Sequence, residues 1–66
     1  GMSTTNTYRG YRLFVQDFGV GWKIFIYAPG TNIALPTSPN TQDLNGQDTI
    51  FREARAIVDA ELGPKS

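Results

Sequence analysis

The 66-residue chain has no cysteine and no histidine. Without cysteine there is no disulfide framework, no thiolate metal site and no cysteine nucleophile. Without histidine, Ser-His-Asp catalysis, imidazole proton shuttling and ordinary zinc ligation lose their usual actor. No sign of charge is in excess: six basic residues face six acidic ones. A nucleic-acid binder usually carries a basic surplus, so nucleic acid ranks behind a protein partner. No long apolar run follows Met2, where the chain reads STTNT. Neither a secretory signal nor a membrane span is expected, and the cytoplasm is the default location. Length is scarce as well. The triplet Asp17, Phe18, Gly19 holds magnesium in protein kinases, but this chain is far too short for the other kinase parts.

That triplet reads instead as turn chemistry. It sits between two strand-like runs, and Asp17 with Gly19 and Gly21 suits a hairpin connection. Phe18 is placed to fold back over a sheet face. The run before it, residues 8–16 (YRGYRLFVQ), is rich in aromatic and β-branched side chains. The run after it, residues 22–28 (WKIFIYA), is the strongest strand signal in the chain. Pro29 and Gly30 are the favoured centre of a type II turn. Residues 31–35 then form a third, shorter strand, stopped or held at an edge by Pro36.

Residues 36–46 are a loop by composition, which Leu44 is expected to pin to the core. The last segment is a helix. Ile50, Phe51, Ala54, Ile57, Val58 and Leu62 recur at three-four spacing. Asn45 is the expected N-cap, Asp48 lies near the positive end of the helix dipole, and Asp48 with Arg52 forms an i,i+4 pair. Gly63 followed by Pro64 ends the helix.

Short turns make the strands an antiparallel meander. The expected fold is therefore α+β, a three-stranded antiparallel meander with one C-terminal helix packed on one face. Residues 1–7 are expected to form a disordered tail, in which Gly1 is a scar of tag removal, and residues 8–66 one domain. Period-two alternation gives Tyr11, Leu13, Val15, Trp22, Ile24, Ile26, Ile33 and Leu35 to the helix side. Arg12, Phe14, Gln16, Lys23, Phe25 and Tyr27 fall on the other side. Three aromatics on an uncovered sheet are more apolar area than a monomer normally leaves wet. A chain this small, with neither disulfide nor metal, also gains by burying surface against a partner.

No carboxylate announces catalysis. Asp17, Asp43, Asp48, Asp59 and Glu61 read as turn, cap or solvated acids, and Glu53 as the partner of a nearby cation. Residues 43–48 (DLNGQD) have the wrong spacing for a calcium loop. Gly19 and Gly21 precede a strand, not a helix, so they make no dinucleotide fingerprint. No catalytic, metal or cofactor-binding residue is expected, and the chain is read as non-enzymatic.

The segments YRGYRL, GWKIFIYAPG and FREARAIVDAEL together resemble small single-domain bacterial proteins of unknown function, a resemblance that implies a fold and no activity. The strand-strand-strand-helix order with tryptophan in the second strand is more weakly similar to the N-terminal domain of HicB-type antitoxins. That similarity implies part of an RNA-binding fold and a toxin partner. The residues themselves point to a structural or protein-interaction module. Its candidate interface is Arg12, Phe14, Lys23, Phe25 and Tyr27, closed by a second copy as a homodimer through the sheet face or a strand edge. Single-stranded RNA or DNA on the same face is the alternative.

Overall fold

The computed structural model describes residues 3–63. Gly1 and Pro64, two of the positions discussed above, lie outside them. The chain runs β1 (Ser3–Tyr8), β2 (Tyr11–Asp17), β3 (Trp22–Tyr27), β4 (Asn40–Thr41) and α1 (Gln47–Leu62). The strands form one antiparallel sheet in the order β1-β2-β3-β4. The α+β class, the antiparallel meander and the closing helix are as expected; the strand count and two strand positions are not.

The first difference is β1. Ser3–Tyr8, most of it expected to be a tail, pairs along its length with β2, Tyr8 opposite Tyr11 and Thr5 opposite Phe14. The chain reverses at Arg9 and Gly10, both with positive φ (52° and 86°), as a two-residue type I′ hairpin requires. Residues 8–16 are thus a turn and parts of two strands, not one strand.

The second difference lies beyond β3. The Pro29, Gly30 turn forms, with Thr31 N–H donating to Ala28 O (3.2 Å). Residues 31–35 do not become a strand. They touch β3 through a single bridge, Tyr27 to Ala34, and through Leu35 N–H donating to Ile26 O (2.8 Å). Ile33 therefore points away from the core and is 80% exposed, while Leu35 packs against it. The neighbour of β3 is instead β4, drawn from the expected loop, with Trp22 opposite Thr41 and Ile24 N–H donating to Pro39 O (2.8 Å). Gly21 makes this approach possible. A Cβ there would fall on the Thr41 carbonyl oxygen and 2.7 Å from Gln42 Cα.

The core is one layer between sheet and helix. Tyr11, Leu13 and Val15 of β2 and Ile24 and Ile26 of β3 meet Ile50, Ala54 and Val58 of α1. Each fully buried aliphatic chain contributes roughly 1.5–3 kcal/mol. The helical spacing of four matches the strand spacing of two, which is why these positions share one interior. Trp22, Phe51 and Ile57 pack at its margin. Leu62, at the end of the same helical stripe, is left half-exposed.

The helix begins at Gly46 with no side-chain cap. Asn45 is not the cap: the helix starts one residue later, after a turn in which Asp43 Oδ1 accepts from Asn45 N–H (2.9 Å) and Asp43 O from Gly46 N–H (2.9 Å). Leu44 is not buried; its carbonyl, not its side chain, anchors the loop by accepting from Trp22 Nε1 (2.9 Å). Asp48 stands in the first turn, where the dipole favours an acid, but makes no ion pair with Arg52.

Candidate functional site

The helix packs against β2, β3 and β4 on one side of the sheet, and the other side is open. Register fixes what stands there. Arg12 is opposite Tyr27, Phe14 opposite Phe25 and Gln16 opposite Lys23, all on the central strands β2 and β3. Thr5 and Thr7 of β1 extend the face on one flank and Asn40 of β4 on the other. All five residues singled out from the sequence, Arg12, Phe14, Lys23, Phe25 and Tyr27, are thus on one surface.

The centre of that surface is aromatic. The Phe14 and Phe25 rings lie 6.5 Å apart, tilted by 33°. Each end is occupied by a cation over a ring. The Arg12 guanidinium sits 5.2 Å from the Tyr27 centroid. The Lys23 ammonium is 5.1 Å from Phe25 and 5.9 Å from Phe18. Phe18, from the hairpin tip, therefore joins the patch, as its place in the turn suggested. The turn itself is held by Asp17, whose Oδ1 accepts from Gly19 N–H (2.6 Å). Arg12 is tied down further by donating to the Thr31 carbonyl and to Asn32 Oδ1 (3.3 Å).

Cations over rings of this kind are each worth about 0.5–1 kcal/mol when exposed. They also cover part of the apolar area, leaving Phe14, Phe25 and Tyr27 half-buried. No strand position on this face carries an acid. The neutral net charge thus conceals an uneven distribution, with Asp48, Glu53, Asp59 and Glu61 on the helix beside Arg52 and Arg55.

Sequence reasoning missed two further features. The first is a clamp at the end of the β1–β2 turn. Arg9 Nη1 donates to Asp59 Oδ1 (2.8 Å) and to Gly63 O (3.1 Å), while the Tyr8 hydroxyl donates to the same carboxylate (3.0 and 3.1 Å). An arginine at a helix C-terminus also meets the negative end of the dipole. Asp59 is therefore a structural acid, although its side chain stays partly exposed. Glu53 remains exposed and makes no ion pair among the described residues.

The second is a groove of about 590 Å³ between β1 and α1. It lies where α1, which packs over β2, β3 and β4, meets β1 at its Tyr8 end. A sequence reading without β1 had no wall from which to build it. Among the described residues there is no cluster of three or more metal-ligating side chains, and no helix is long and apolar enough to cross a membrane. Comparison with family models, with curated proteins and with solved structures finds no match.

Proposed function

We propose that this chain is a small, non-enzymatic, cytoplasmic interaction module that works as a homodimer, two copies meeting across the open sheet face. The observation that supports this reading is the Phe14–Phe25 pair on the two central strands, on the side away from the helix. Symmetric pairs are the commonest oligomers, and a sheet face is self-complementary under a two-fold axis. Completing the burial of these rings, most of whose surface is already covered, is worth at most about 1 kcal/mol each. Three rings from each copy then reach only the lower end of an association cost of about 4–15 kcal/mol. The dimer is accordingly expected to dissociate on dilution.

Light scattering on a sizing column over a concentration series tests this. The expected result is a mass rising from monomer to dimer, and a monomer at all concentrations for Phe25→Lys. A folded wild-type chain that stays monomeric at the highest concentration overturns it.

A second reading, single-stranded nucleic acid on the same face, is favoured by the charge pattern. Arg12 and Lys23 flank the rings with no acid among them. Bases stack on sheet aromatics while cations hold phosphates. Salt-dependent oligonucleotide binding that weakens roughly tenfold on Phe25→Ala is its signature, and no binding at low salt removes it.

A further inference from the structure

The β1 edge and the groove beside it form a second surface, separate from the open face. β1 is the outermost strand of the sheet among the described residues, so one side of its backbone has no strand partner. In a two-residue hairpin the residues flanking the turn form a hydrogen-bonded pair, and such pairs alternate along the ladder. Tyr8 and Asn6 therefore spend their main-chain groups on β2, while those of Thr7 and Thr5 point outward. Natural edges are usually blunted by lysine, proline or a bulge. Ser3–Tyr8 has none of these.

The groove lies along this edge. Asn6 and Tyr8 face it from the helix side of β1, and Thr7 borders it, although its side chain belongs to the opposite face. The far wall is α1, with Phe51, Arg52 and Arg55, and with Asp48 as the one acid. Neither guanidinium has a hydrogen-bond or ion-pair partner among the described residues. The groove thus joins a main-chain pairing edge to two unspent cations.

We propose that this edge takes an extended peptide bearing acidic side chains at alternate positions. Its main chain adds a strand to β1 through Thr5 and Thr7, and its carboxylates bond to Arg52 and Arg55. Alternate residues of a strand stand roughly 7 Å apart on one face. Arg52 and Arg55 are three apart on a helix, about 5 Å along the axis. Flexible arginine side chains span the difference, and each can hold a carboxylate with two parallel hydrogen bonds. Strand addition supplies affinity from the backbone and specificity from the alternating side chains.

A second copy fits this site poorly. A second copy would bring the same Arg52 and Arg55 with only Asp48 to meet them, so it offers the groove fewer carboxylates than an acidic peptide does. Nucleic acid fits poorly too, because it lacks the alternating amide donors and acceptors that a strand edge pairs with.

The test is fluorescence anisotropy with a labelled peptide, Thr-Val-Glu-Val-Glu-Val-Thr, and with its Glu→Gln counterpart. Three variants are compared: Arg52→Gln with Arg55→Gln, Thr7→Pro, and Phe25→Ala. Proline at position 7 removes one outward N–H and is tolerated on an edge. Circular dichroism confirms that each variant is folded. The acidic peptide is expected to bind, and the Gln peptide at least tenfold more weakly. The double arginine variant and Thr7→Pro should each lose about tenfold or more, and Phe25→Ala nothing. Absence of binding at low salt overturns the proposal. So does binding that survives Thr7→Pro, which would be charge attraction without strand addition. A dimer that Thr7→Pro dissolves and that both Phe25→Ala and the peptide leave intact would give the edge to a second copy instead. None of these outcomes depends on whether the aromatic face dimerises.

Discussion

Two residues occupy positions that their neighbours alone make tolerable. Gly21 lies where β4 crosses, with no room for a methyl group between it and Thr41. Gly21→Ala is expected to push β4 off the sheet and to cost about 2–3 kcal/mol, the usual scale for overpacking. Urea denaturation reads this directly, and an unchanged midpoint would mean that β4 contributes nothing to stability. Arg9 is the second case. Its φ of 52° is costly for a residue with a Cβ, by about 1–2 kcal/mol, yet its guanidinium bonds Asp59 and Gly63. The ion pair is partly solvated, with side chains 24% and 38% exposed, so it is worth about 1 kcal/mol or less. Arg9→Ala keeps the strain and loses the bonds; Arg9→Gly loses both. Arg9→Gly is therefore expected to be more stable than Arg9→Ala by about 1 kcal/mol, and thermal melts of the two rank them.

Among the elements, the helix shows how far periodicity reaches. Spacing places Val58 and Leu62 on one stripe, but only Val58 belongs to the core. Val58 is fully buried and Leu62 is 47% exposed. Val58→Ala is expected to cost about 2 kcal/mol and Leu62→Ala less than about 0.5 kcal/mol. Comparable losses at both sites would mean that the last turn packs more tightly than described. The same contrast explains what was legible beforehand. Strands β2 and β3 and the core stripe of α1 carry large side chains at the right period, so their faces, and with them the aromatic patch, could be read from the sequence. Strand β1 could not, because Ser-Thr-Thr-Asn-Thr has no apolar face. It is a strand because the Arg9, Gly10 turn returns it along β2. The one available signal was that dipeptide between two tyrosines, a positive-φ turn hidden inside a strand-like run. Strand β4 is two residues long and owes its place to a missing side chain on Gly21, which no hydrophobic pattern records. The groove depends on β1 and was invisible for the same reason.

For the whole molecule, the layering decides which surfaces are free. One helix cannot cover four strands, so the sheet is left open on one full face and along the β1 margin of the other. Raised salt is expected to separate these surfaces. Packing between aromatic rings should be unchanged or tighter in salt, whereas carboxylates held at Arg52 and Arg55 should be released. Sedimentation in low and high salt reads the first, and peptide titration the second. The clamp between the first turn and the helix end also has a consequence for time. Tyr8 and Arg9 reach Asp59 across 51 and 50 residues of chain. The two hairpins close over short loops, so they can form long before this contact does. A contact made after the folding barrier speeds unfolding when removed and leaves folding alone. Asp59→Ala is therefore expected to raise the unfolding rate roughly fivefold, the equivalent of about 1 kcal/mol, with a folding rate near that of the wild type in stopped-flow traces. The last bond to form would then govern how long each molecule stays folded, and have little part in how soon it gets there.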